Sequence, residues 1–183
     1  MFRGDDERLL GYGQGMALIR IGFGLYFLSQ AFAKITGHWL STADPLLNGF
    51  IGPSLKNNTA QGFYRPFLEN VVQPNGLLFS QLVTLAELAV AISLILGLFT
   101  RFGGLLGAWL NLNYMLMKGL ANNAGSNDRL WFLAEVVFAL TAAGLVWGLD
   151  GKLAGAFASN PLTRWLAGLS LPGPEPQRTA AES

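Results

Sequence analysis

Residues 75–99 read NGLLFSQLVTLAELAVAISLILGLF, and Glu87 is the one charged residue among them. At a helical rise of ~1.5 Å per residue, this run is longer than the ~30 Å hydrocarbon core of a bilayer. Apolar runs beyond ~18 residues are the mark of a membrane-crossing helix. Working outward, Gln14 to Thr36 forms a similar run upstream, and Phe102 to Ala121 and Arg129 to Leu149 form two more downstream. The fold class expected is therefore all-α: an integral membrane four-helix bundle with spans at about 14–36, 75–99, 102–121 and 129–149. The first run has no small-residue cleavage pattern after a short apolar core, so it reads as a retained span rather than a removable signal. Only Thr100-Arg101 separates the second run from the third, which predicts a tight antiparallel hairpin.

The connecting segments are polar. Residues 1–13 form a charged lead carrying Arg3, Asp5, Asp6, Glu7 and Arg8. Residues 14–150 make up the membrane domain. Residues 151–183 are expected to be an amphipathic stretch (Leu153 to Leu169) followed by a disordered end after Pro172, Pro174 and Pro176. Gly37 to Gly76 is too polar to cross. Its apolar residues recur every three or four positions and are broken by Pro45, Pro53, Pro66 and Pro74. That pattern predicts a long amphipathic outer loop between helices 1 and 2, made of short helices lying on the membrane surface.

Composition agrees. Hydrophobic residues make up 51% of the 183 and charged residues 13%, about half the roughly 25% charge of a soluble domain. A net charge of +1 leaves no basic field for nucleic acid. Arg3, Arg8, Arg101, Lys152, Arg164 and Arg178 fall on the side of the two termini. Lys34, Lys56, Arg65, Lys118 and Arg129 fall on the other. The bias places both termini in the cytoplasm. There is no cysteine and a single histidine, His38. Disulfides, thiolate nucleophiles, Fe–S clusters and cysteine-bound zinc are excluded, and no metal or haem is expected from this chain alone. Redox chemistry would need an organic cofactor, a substrate quinone or another polypeptide.

An ionisable side chain inside a span costs roughly 2.5–3.5 kcal/mol or more, so each one needs a reason. Span one carries Arg20, Gln30 and Lys34; span two carries Glu87; span three carries Asn111, Asn113 and Lys118; span four carries Glu135. Helical spacing gathers them into stripes, such as Ser80-Thr84-Glu87-Ala91 and Gly104-Ala108-Asn111-Lys118, that belong inside the bundle. Leu82-x-x-Leu85-Ala86-Glu87 is echoed by Leu130-x-x-Leu133-Ala134-Glu135, which puts the two carboxylates at similar depth. Two readings stand side by side. In one the charges are structural: Arg20 and Lys34 neutralise Glu87 and Glu135, while Gly103-x-x-x-Gly107 and Gly144-x-x-x-Gly148 allow close helix approach. In the other they line a polar pocket open to the outer face, with Glu87 and Glu135 as catalytic proton carriers. Lys34, Arg65, Lys118, Arg129 and Asn111 would then bind substrate. Trp39 and Trp131 suit an interfacial aromatic belt and equally suit stacking on a quinone ring.

Three stretches carry a family likeness. They are Phe63-Tyr64-Arg65-Pro66-Phe67-Leu68-Glu69-Asn70-Val71-Val72-Gln73-Pro74-Asn75 leading into Leu82 to Ala91, Leu96-Gly97-Leu98-Phe99-Thr100-Arg101, and Ala142-Ala143-Gly144-Leu145-Val146-Trp147-Gly148-Leu149-Asp150. Over about residues 14–152 the chain resembles the DoxX/DoxD family, and its long outer loop resembles the DoxD branch more closely. The resemblance implies a multi-pass protein of a bacterial or archaeal cell membrane. It further implies the membrane subunit of thiosulfate:quinone oxidoreductase, which joins two thiosulfates as tetrathionate, passes electrons to quinone and works with a DoxA-like partner. A DoxA-like region is not expected within this chain. The rival expectation is a non-catalytic accessory subunit, held by other membrane-protein subunits of a larger respiratory or photosynthetic assembly. A small-solute transporter is a third, weakened by having only four spans.

Overall fold

A computed structural model describes residues 3–121 and 126–169. All regular structure among them is helical. Four long helices carry the architecture: α1 (Arg3–Thr36), α2 (Gly76–Leu96), α3 (Thr100–Lys118) and α4 (Ser126–Leu140). Two stretches are long and apolar enough to cross a membrane, Gly11–Thr36 within α1 and Arg65–Leu96 ending in α2. The charged lead does not break from the first span, because α1 already begins at Arg3. The disorder expected of the last ten residues lies outside the described residues.

Each helix packs on its neighbour in sequence: α1 on α2, α2 on α3 and α3 on α4. α1 meets α4 through rings, with Tyr26 stacked on Trp131 at 4.0 Å and Phe23 at 4.3 Å from the same indole. Phe27, Val90, Leu94, Leu110 and Phe138 fill the space between the helices. The echoed motifs face alike. Leu82, Leu85, Leu130 and Leu133 are exposed on the outer surface, while Glu87 and Glu135 are buried.

The turn between α2 and α3 comes earlier than the sequence suggests, at Gly97–Phe99, because Thr100 is already helical. Gly97 closes α2 in the left-handed region (φ 63°), its N–H donating to the Ser93 carbonyl; glycine reaches that region without the Cβ penalty. The first N–H groups of α3 then need acceptors, and a distant residue supplies them. The Asp150 carboxylate accepts from the Phe99 N–H (2.7 Å), the Thr100 N–H (3.0 Å) and the Thr100 hydroxyl (2.8 Å), and the Asp150 N–H donates to the Gly97 carbonyl (2.8 Å). Reaching this position requires unwinding. α4 therefore stops at Leu140, short of the expected Leu149, and residues 141–148 continue as turns. Asp150→Ala strands three donors in a fully buried place, so it should lower stability by about 2 kcal/mol. Thermal unfolding in detergent measures this, and an unchanged midpoint would show that the donors find other acceptors.

The loop between α1 and α2 departs from the expectation of helices lying flat on lipid. It folds over the end of the helices. Its apolar side chains Leu46, Ile51, Leu55, Leu68 and Val72 are buried with Trp39 and Met117. Pro45 and Pro66 sit in the first turns of helical segments (Asp44–Leu46, Arg65–Phe67), where a missing N–H costs nothing; Pro53 and Pro74 follow directly on π-helical turns (Leu47–Ile51, Leu68–Val72), and the helix continues through them. The loop also satisfies the orphan carbonyls at the end of α3: Ser54 Oγ donates to the Met117 carbonyl (2.5 Å), and the Gln61 N–H donates to the Leu116 carbonyl (2.9 Å).

Candidate functional site

Between the folded loop and the helices lies a cavity of about 410 Å³. Its walls are mainly apolar and aromatic, with Phe27, Trp39, Phe50, Phe67, Phe79 and Leu110 among them. All four long helices place polar groups in it, α4 through Asp128. α1 brings Lys34 into its last turn, where a cation also suits the helix dipole. α2 brings Glu87, 2% exposed, and α3 brings Tyr114. Lys34 Nζ donates to both Glu87 oxygens, at 2.6 and 2.8 Å, and the Tyr114 hydroxyl donates to Oε1 at 2.6 Å. A charged group this deep is tolerable because both its oxygens have donors and its charge has a partner. Lys34 also lies 5.1 Å over the Trp39 ring, a cation–π contact that helps hold the ammonium without water.

Further polar groups stand around the cavity. Lys118 pairs with Asp128 at 2.8 Å and lies 5.4 Å over the Tyr114 ring. The Tyr64 hydroxyl, from the loop, donates to Asn113 Oδ1 at 2.6 Å. Burial pushes the Tyr64 phenol up to about 12, so it keeps its proton and remains a donor throughout the physiological range.

Of the residues the sequence singles out, the structure brings Glu87, Lys34, Lys118 and Asn111 together at this cavity. Glu135, Arg65 and Arg129 do not line it. Glu135 lies behind Asn111, whose Nδ2 donates to its Oε2 at 2.8 Å. Arg65 bonds Glu69 (2.8 Å), Asn58 and the Leu55 carbonyl, tying the loop to itself. Arg129 donates to the Leu120 carbonyl just beyond α3. The structural pairing of charges is realised for Lys34 with Glu87 only. Arg20 is fully buried at the opposite end and donates to the Trp147 carbonyl at 3.2 Å. Gly103 and Gly107 turn to different neighbours: Gly103 to Ser93 of α2, and Gly107 to the Glu135 carboxylate of α4.

Sequence reasoning passed over Tyr114, Asp128 and Tyr64 as site residues. Tyr114 was within reach, since it shares the stripe of Asn111 and Lys118. Asp128 gave no signal, because the sequence reads as a polar turn where α4 has already begun, and Tyr64 reads only as an interfacial aromatic of a loop whose folding over the helices is tertiary. Among the described residues no three His, Cys, Asp or Glu side chains gather as a metal site would need. What the cavity offers is an apolar slot beside the Lys34 ammonium, which keeps one N–H beyond the two it gives to Glu87. That arrangement suits a flat, lipid-soluble ligand bearing hydrogen-bond acceptors.

Apolar helices with leucine-rich outer faces, buried charges and an internal aromatic cavity define a helical membrane protein. Residues 16–171 match a family model described as "TQO small subunit DoxD". The chain belongs to the DoxD family. No curated protein and no solved structure matches it.

Proposed function

We propose that this protein is the quinone-reducing membrane subunit of a thiosulfate:quinone oxidoreductase, and that the cavity between loop and helices receives the quinone head group. In this reading the chain crosses the bilayer four times with both termini cytoplasmic. The observation that carries it is the buried Lys34–Glu87–Tyr114 cluster at an aromatic, apolar cavity. Family membership supplies the reaction class. The reaction balances as two thiosulfate dianions losing two electrons to form tetrathionate, while a quinone takes up two electrons and two protons.

Each residue then has a role. Trp39 and Phe79 sandwich or edge a planar ring. Lys34 gives two N–H groups to Glu87 and turns its third toward a carbonyl oxygen, favouring the negative charge that reduction places there, while Tyr114 spends its one O–H holding Glu87 in place. Glu87, hydrogen-bonded to both, takes a proton from the aqueous side and passes it on. Lys118, at the same cavity and 29% exposed, is the cation best placed to attract a dianion. The thiosulfate-oxidising half falls to a DoxA-like partner.

Purified protein, alone and reconstituted with companion proteins from its native membrane, should reduce a short-chain quinone when thiosulfate is added. Turnover only with a stoichiometric companion assigns the quinone site to this chain and the sulfur chemistry to the partner. Quinone binding with no thiosulfate-dependent turnover in any assembly would replace this reading with that of an accessory subunit.

A further inference from the structure

Asn111 lines the cavity and also hydrogen-bonds Glu135. It is 4% exposed, and Glu135 is fully buried between α3 and α4. Glu135 has a sparse set of partners. Its Oε2 accepts from Asn111, its Oε1 has no partner, and no cation pairs with it among the described residues. Gly107 is part of the arrangement, since a Cβ there would stand 2.6 Å from the Glu135 carboxyl carbon. The Nδ2 of Asn111 also donates to the Gly107 carbonyl at 3.3 Å; its carbonyl oxygen accepts no hydrogen bond among the described residues and is not sealed from the cavity. That end is therefore the one open to the cavity.

A side-chain amide has a donor end and an acceptor end, and turning it by half a revolution exchanges them. Ionised Glu135 can only accept, so it draws the NH₂ of Asn111 and leaves the carbonyl facing the cavity. Protonated Glu135 can donate to that carbonyl, which releases the NH₂ toward the cavity. We infer that Glu135 is a positioning residue whose proton decides whether Asn111 presents a donor or an acceptor to the ligand. The two faces match the two redox forms of the ligand class proposed above, on which this inference rests. Quinone carbonyls require a donor; quinol hydroxyls can be held by an acceptor. Glu135 carrying its proton thus selects the oxidised ligand, and its loss favours the reduced one. The remaining charged groups at the cavity are Lys34, Glu87, Lys118 and Asp128, each already in an ion pair.

The test is a binding experiment and needs no turnover. Quenching of tryptophan fluorescence, with Trp39 and Trp109 lining the cavity, reports the affinity of a short-chain benzoquinone. Its quinol, kept reduced by dithionite under argon, is measured in the same way. For the wild-type protein the ratio of quinone to quinol affinity should fall by about threefold to tenfold between low and high pH, the worth of one exchanged hydrogen bond. In Glu135→Gln the partner has a donor and an acceptor at every pH, so the ratio should become flat while binding persists. Asn111→Leu should flatten it as well. A flat wild-type ratio, or the same slope in Glu135→Gln, overturns the inference and leaves the quinone site standing. Failure of the wild-type protein to bind either form overturns the quinone reading and this inference together. If neither variant folds, the wild-type slope decides.

Discussion

Lys34→Met should cost the folded protein about 3–5 kcal/mol, the usual penalty for leaving one member of a buried pair uncompensated. Glu87 is 2% exposed and receives two of its three hydrogen bonds from Lys34. With the ammonium gone, the carboxylate keeps only the Tyr114 hydroxyl at 2.6 Å. It must then stay charged in a low-dielectric site or take up a proton, and both routes lose the pair's favourable energy. Denaturant or thermal unfolding in detergent reads the loss. The double variant Lys34→Met/Glu87→Leu removes both charges and should recover most of it, since apolar replacement of a whole buried pair is often neutral. Losses that simply add would show that the two side chains are not coupled.

The second large effect concerns turnover. Glu87→Gln keeps the size and one acceptor of the side chain, so Tyr114 can still donate to it, but Gln cannot carry a proton. If Glu87 relays protons to a quinone, thiosulfate-dependent quinone reduction should fall by about 100-fold or more, while the protein still inserts and folds. Lys34 is 12% exposed beside it and can turn its ammonium toward water, which limits the structural penalty. Unchanged turnover would remove Glu87 from the mechanism and leave it a purely structural anion.

Much of the architecture is legible in the linear pattern. The run at 75–99 and its companions predict apolar helices, and the cost of charge in hydrocarbon predicts that Glu87 and Glu135 turn inward, where both are buried. Which charges meet was not legible. Arg20 and Lys34 look alike as buried cations on one helix, yet Lys34 pairs with Glu87 while Arg20 donates to a backbone carbonyl at the far end. The choice depends on which helix lies beside α1 and at what axial height, and one-dimensional spacing carries neither. The same limit hid the loop. Its apolar periodicity fits a membrane surface and a protein interior equally well, and only packing against Trp39 and Met117 distinguishes them. α4 also ends by a tertiary demand, because the chain must unwind for Asp150 to reach the start of α3.

By itself, then, the sequence determined a helical membrane protein of the DoxD family and the inward direction of its acidic side chains. Those follow from hydrophobic burial and from the cost of an unpaired charge in hydrocarbon, both of which act on local pattern. The tertiary structure alone decided that Lys34, Glu87 and Tyr114 share one cavity, that the loop closes over it, and that Glu135 stands behind Asn111. Those relations arise from helix neighbours and register, where groups far apart in the chain come within hydrogen-bonding distance.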